Sequence, residues 1–206
     1  MVKPRPRELY VEGGGDHNPA LASEFRKAFS QLLERAGVKH RPRIVVCGGR
    51  KRAYDQFAQA LKDDASDVWL LVDAESLVAS GPPFDPWAHV LARQGDQWVQ
   101  PPCATDEHLH FMAVCMETWL LSDHDALKKV FGPKLDATKL PAATKPLESV
   151  EKQHVYNALQ AATKPTPAGE YGKGKHAVKV LAEVRPQALR KLSWAARFLD
   201  AMRAIP

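Results

Sequence analysis

The sequence has no apolar run long enough to cross a membrane; its longest apolar tracts are the length of a strand. No apolar stretch backs the basic residues of the opening MVKPRPRELYVEGG, so this segment does not read as a secretory signal. Cysteine is scarce: Cys47, Cys103 and Cys115 are odd in number and far apart. That excludes a disulfide framework, a zinc spacing and a C-x-x-C redox pair, and it suits a reducing compartment. All three are expected to be small buried hydrophobes. Neither G-x-G-x-x-G nor G-x-x-x-x-G-K-[ST] occurs, which argues against a dinucleotide or P-loop site. There is no internal repeat. These absences lead us to expect a cytoplasmic protein with no membrane partner.

What is present is ordinary globular composition, 45% apolar and 26% charged over 206 residues. The net charge of +5 permits a polyanionic partner without requiring one.

The first half alternates strand and helix signals. Residues 8–11 (ELYV) are apolar and β-prone, and three glycines end them. Asn18-Pro19 supplies a cap and first helical position for a helix over about 20–36, stopped by Gly37. RIVVC at 43–47 predicts a buried strand, 50–63 a second helix, and DVWLLV at 67–72 a third strand. Near-continuous apolar strands separated by helices predict an α/β fold with a parallel sheet between helices. The segment 80–105 is rich in proline, glycine and tryptophan, with a short strand expected at 97–99. Beyond it the pattern predicts helices over about 106–121, 123–132, 147–162, 176–183 and 186–205. We therefore expect an α/β core over 1–100 and a helical extension over 101–206 that packs on the sheet and completes the same domain.

Glu12 ends the first strand, and Asp73 and Glu75 end the third. Ligand sites of open parallel sheets lie beyond the carboxyl ends of the strands, near the point where strand order reverses. Asp73 and Glu75, two apart, share a face in extended chain. Clustered carboxylates repel unless protonated or holding a cation, and an oxygen-only donor set favours Mg²⁺ or Mn²⁺. Capping of turns is the alternative for these acids.

Other residues read two ways. Asp16 is an extra ligand or a turn residue. Arg50, Lys51 and Arg52 oppose the dipole of the helix they open, which a bound phosphate would relieve; the alternative is a solvated charge run. Glu117, placed seven positions after His110 and nearly on one helical face with it, is a ligand or a buried acid paired with a base. Asp123 reads as the cap of the next helix. Lys173, Lys175 and His176 lie in a glycine-spaced loop at a helix start, where they grip phosphate or are simply exposed.

LYVEGGGD at 9–16 resembles the first motif of the Toprim fold, an apolar strand delivering Glu into a glycine-rich turn. DVWLLVDAES at 67–76 resembles its second, and RIVVCGG lies between them. HFMAVCMETWLLSD at 110–123 and YGKGKHAVKVLAEVRP at 171–186 further resemble a Toprim-like family related to the OLD nucleases. Its genes tend to lie beside ATPase genes in bacterial defence-type operons. The resemblance implies a Mg²⁺- or Mn²⁺-dependent nuclease or phosphodiesterase in an antiphage system. Glu12, Asp73, Glu75 and Lys173 would be catalytic. Glu12, Asp73, Glu75, Asp16 and Glu117 would be metal ligands, and Arg50, Lys51 and Lys175 would bind phosphate. Nucleic acid and an ATPase are the implied partners. The second motif departs from the family pattern: Asp-Ala-Glu stands for Asp-x-Asp, which puts a second metal position in doubt. The alternative is a non-catalytic Toprim-like subunit of an ATPase complex.

Overall fold

A computed structural model describes residues 6–14, 18–63, 67–142 and 146–205. Among the described residues four parallel strands form one sheet in the order β2-β1-β3-β4. They are β1 (Arg7–Val11), β2 (Arg43–Val46), β3 (Asp67–Asp73) and β4 (Leu109–Met112). The α/β class expected from the alternating pattern is therefore the observed one, consistent with a Toprim-like sheet. The chain leaves β1 for β2 on one side, then crosses to β3 on the other. The reversal in strand order thus falls between β1 and β3.

Side chains alternate across the sheet as the pleat requires. Leu9, Val11, Leu71 and Met112 face one apolar cluster, and Tyr10, Leu70, Val72 and Phe111 face another. The first cluster includes α1 (Pro19–Arg35), whose Phe25, Phe29 and Leu32 repeat at helical spacing and are fully buried. Asn18 caps that helix by accepting from the Leu21 N–H at 3.0 Å. The second cluster is closed by α2 (Arg50–Lys62), through Ala53 and Phe57, and by α3 (Pro86–Ala92), through Trp87 and Val90. Helix α3 falls within the proline-rich segment. Its Asp85-Pro86 start is the same cap-and-proline signal that opens α1.

The largest departure from expectation lies at 106–121. Instead of one helix, the chain forms a 3-10 turn (Asp106–His108), strand β4 and the short helix α4 (Met116–Leu121). The apolar run there fits a buried strand as well as a buried helix, and the open edge of β3 decides: His110 registers against Leu71 and Phe111 against Val72. His110 and Glu117 consequently sit on different elements, not on one helical face. No strand forms at 97–99; Trp98 is instead buried against α2, its ring stacked 4.5 Å from that of Tyr54.

The second half is otherwise helical: α5 (His124–Phe131), α6 (Lys152–Thr163), α7 (Lys173–Leu181), α8 (Pro186–Leu189) and α9 (Ser193–Arg203). Asp123 caps α5 by accepting from the Asp125 and Ala126 N–H groups, as expected. The last predicted helix is divided. Buried Glu148 accepts from the Ser193 and Trp194 N–H groups, both at 2.9 Å, and so starts α9 afresh. Arg197 of α9 donates to the Leu109 carbonyl and ties that helix to β4. Cys47 and Cys115 are buried as expected, whereas Cys103 is exposed. Among the described residues no helix is long and apolar enough to cross a membrane.

Candidate metal centre

Three strand ends and two glycine turns build the site. Glu12 follows β1, and its N–H donates to the Leu71 carbonyl at 3.0 Å, which extends the pairing with β3 by one residue. Gly13 then turns at φ +123°, and its backbone exchanges two hydrogen bonds with Gly48, the glycine after β2. A Cβ on Gly13 would meet the Phe25 ring at 2.8 Å, so only glycine lets the turn lie flat on α1.

Asp73 closes β3 and is 2% exposed. Its Oδ1 accepts the Met116 N–H, at the start of α4, at 2.8 Å. Its own N–H donates to Glu12 Oε2 at 3.1 Å. Glu75 lies beyond the strand with φ +67°, anchored by its N–H donating to the Val114 carbonyl at 2.9 Å. The shared direction of Asp73 and Glu75 therefore comes from a left-handed bend, not from extended chain. Such a bend disfavours a residue with a Cβ by about 1–2 kcal/mol, and the fold carries that strain here. One carboxylate oxygen from each of Glu12, Asp73 and Glu75 lies within 4.8 Å of the other two.

Cationic side chains surround these acids. Lys152, the first residue of α6, places Nζ 2.6 Å from Glu75 Oε1 and 3.6 Å from Asp73 Oδ2. Lys173, the first residue of α7, lies 3.7 Å from Asp73 Oδ2 and 3.8 Å from Glu117 Oε2. Arg50 grips Asp96 at 2.8 and 2.7 Å, reaches Glu12 at 3.3 Å, and donates to the Asp73 carbonyl. Its guanidinium lies 4.6 Å from the centre of the Trp98 ring.

The electrostatics follow from burial. Burial pushes the Asp73 carboxyl up to about 7, the Glu12 charge adds to that, and the two lysines oppose it. Burial also raises Glu12, against the pull of Arg50. Burial alone would lower Lys152 and Lys173, but the carboxylates outweigh it and hold both ammoniums above their ordinary range.

Glu12, Asp73 and Glu75 thus converge at one sheet edge. Glu117 is buried a step away, where it accepts from the Tyr171 hydroxyl at 3.0 Å and faces Lys173. Asp16 lies outside the described residues. Lys51 pairs with Asp55 at an exposed position, and Lys175, also exposed, donates to the Ala168 carbonyl. Lys173, Lys175 and His176 belong to the first turn of α7, not to a loop, and His176 is buried between the Phe131 and Tyr171 rings. Arg50 is turned inward and mostly buried, with its nitrogens taken by protein oxygens.

Sequence reasoning missed Lys152, Asp96 and Trp98. Lys152 follows an acidic residue at an unremarked helix start, and nothing local marks it. Asp96 lies in a Gln-Gly-Asp loop with no motif. Only Trp98, a large aromatic in a polar loop, offered a signal of burial.

The centre opens on two recesses. One, of about 300 Å³, is lined by Glu12, Asp73, the paired glycine turns and Lys173. The other, of about 540 Å³, is lined by Glu12, Glu75, Arg50, Lys51, Tyr54 and Trp98. The donor set fits a hard divalent cation: carboxylate oxygens only, at the strand-order reversal of a parallel sheet. No curated protein and no solved structure matches the chain. The model of the DUF4276 family, described as a domain of unknown function, matches residues 11–203, and the chain belongs to that family.

Proposed function

We propose that this chain is a divalent-cation-dependent phosphodiesterase that cleaves nucleic acid. The observation that carries the reading is the convergence of Glu12, Asp73 and Glu75 oxygens within 4.8 Å at the carboxyl edge of the sheet. Those three side chains would hold Mg²⁺ or Mn²⁺, which when bound polarises a scissile phosphate and activates water. Lys173, half-exposed and lining the smaller recess, would offer its ammonium to the charge that develops on the phosphate. The glycine turns beside it let a backbone phosphate approach closely. Two recesses meeting at Glu12 suit a linear polymer laid across the centre. Exposed Lys51 and Lys175 would contribute sequence-independent phosphate contacts. Nucleic acid as substrate, and the unpaired thiols of Cys47 and Cys115, favour the cytoplasm. An ATPase partner and a role in antiphage defence are supported by the sequence resemblance.

One observation favours a second reading, a non-catalytic subunit: Lys152 already occupies Glu75 at 2.6 Å. A single assay separates the two. Purified protein with Mn²⁺ or Mg²⁺ is offered single- and double-stranded DNA and RNA, alone and with a neighbouring ATPase if one is encoded. Cutting that Glu12→Gln or Asp73→Asn abolishes supports the enzyme. Cutting that persists at the wild-type rate in Asp73→Asn places the chemistry elsewhere. Metal-independent binding without cutting, under every condition, favours the platform.

A further inference from the structure

We propose that the centre takes one divalent cation, and that the ammonium of Lys152 fills the place a second would need. The inference rests on the metal-dependent reading above and concerns how many ions that site holds.

A bridging cation in a two-ion centre sits between carboxylates and touches more than one of them. Lys152 Nζ takes a comparable place: it donates to Glu75 Oε1 at 2.6 Å and ion-pairs with Asp73 Oδ2 at 3.6 Å. The contact is built rather than incidental. Lys152 is anchored by its backbone at the first turn of α6, and its side chain is only 37% exposed. Glu75 is held toward it by a left-handed backbone that its N–H bond to Val114 fixes. The extra methylene of Glu75, relative to an Asp at the same place, carries its carboxylate to the ammonium.

The remaining oxygens leave room for one ion. Asp73 Oδ1 is taken by the Met116 N–H, so Oδ2 is its free donor. Glu12 lies beside it, tied to the Asp73 backbone. An ion held by Glu12, Asp73 Oδ2 and the Glu75 oxygen that Lys152 leaves free would have both Lys152 and Lys173 close to it.

Charge counting agrees. Among the described residues, the carboxylates of the linked network are Glu12, Asp73, Glu75, Asp96 and Glu117. Its cations are Arg50, Arg93, Lys152 and Lys173. The acids exceed the bases by one. One divalent ion together with one phosphodiester charge brings the network to neutrality. A second divalent ion would add two further positive charges beside the Lys152 ammonium in a partly buried site, which its low dielectric opposes.

The test is Mn²⁺ stoichiometry on the full chain, by equilibrium dialysis and by electron paramagnetic resonance, for wild type, Lys152→Gln and Lys152→Arg. Thermal melts verify that each is folded. The expected result is one Mn²⁺ per wild-type and per Lys152→Arg chain, with the spectrum of an isolated ion. Lys152→Gln is expected to take two, with a spin-coupled spectrum. Two ions on the wild type overturn the inference and leave the metal-dependent reading standing. One ion on all three proteins with unchanged affinity removes Lys152 from the role. No Mn²⁺ on wild type or either variant overturns the underlying reading, and this inference with it.

Discussion

Asp73 Oδ1 accepts the Met116 N–H at 2.8 Å and so joins the end of β3 to the start of α4. One oxygen of the buried carboxylate is thereby fixed by the fold, and the other is left to face cations. Structural and ligand-holding roles are divided within a single side chain.

This division predicts the behaviour of Asp73→Asn. Asn keeps an oxygen for the Met116 N–H and removes a charge that burial and Glu12 both disfavour. The metal-free variant should melt at or above the wild-type temperature. Millimolar Mn²⁺ should raise the wild-type melting point and leave the variant's unmoved, since only a ligand that binds the folded state shifts it. Differential scanning fluorimetry with and without Mn²⁺ measures both. A wild-type melt indifferent to Mn²⁺ counts against the site.

Arg50 and Lys51 are adjacent in sequence and should differ sharply on truncation. Arg50→Ala leaves Asp96, whose side chain is 2% exposed, with Arg93 as its remaining partner and removes the donors to Glu12 and the Asp73 carbonyl, and should destabilise the protein by about 1–3 kcal/mol. Lys51→Ala breaks only an exposed helical pair with Asp55 and should change stability by no more than about 0.5 kcal/mol. Urea denaturation of the two variants decides it; equal effects would mean that Arg50 is not held as described.

Nucleic-acid binding should report on the exposed lysines. Replacing Lys51 and Lys175 by Ala should weaken binding without changing the fold. On duplex DNA it should also reduce the slope of log affinity against log salt, by about 0.9 for each phosphate that a lysine no longer neutralises. Fluorescence anisotropy across a salt series gives the slope. An unchanged slope would move the phosphate track to another face.

His110 predicts a pH dependence away from the metal centre. It is fully buried on β4, with Nδ1 toward Arg197 at 3.1 Å and the Phe198 ring beside it. Burial, reinforced by Arg197, pushes its pKa down to about 3. The unfolded chain takes up a proton near the ordinary histidine value, while the folded chain stays neutral to much lower pH. Stability is therefore present above about pH 6.5 and lost as pH falls toward 3. His110→Gln should remove up to about 1.4 kcal/mol per pH unit from the acid slope between pH 6 and 4. Chemical denaturation at stepped pH measures it, and parallel curves for the two proteins would refute the assignment.

The legible parts of the fold were the central ones. Strands β1 to β3 are apolar on both faces because helices cover both, and such runs stand out from any helical period. Strand β4 was not legible, since LHFM continues into AVCMETWLL and the whole run reads as one buried helix. What makes it a strand is an unpaired edge of β3, which no local pattern contains. The acids were visible because each ends a strand, and strand ends locate ligand sites before any side chain is placed. Their neighbours were not. Arg50 looks like an outward cation until Asp96, 46 residues later, turns it inward. Lys152 reaches Glu75 across 77 residues, a meeting set by how α6 docks.

Glu12, Asp73 and Glu75 come from the first part of the chain, and Lys152 and Lys173 from the starts of late helices. Apart from those two lysines, Arg50 is the one cation paired with these three carboxylates among the described residues. The docking of α6 and α7 thus supplies countercharge to the acidic edge as well as apolar surface to the core.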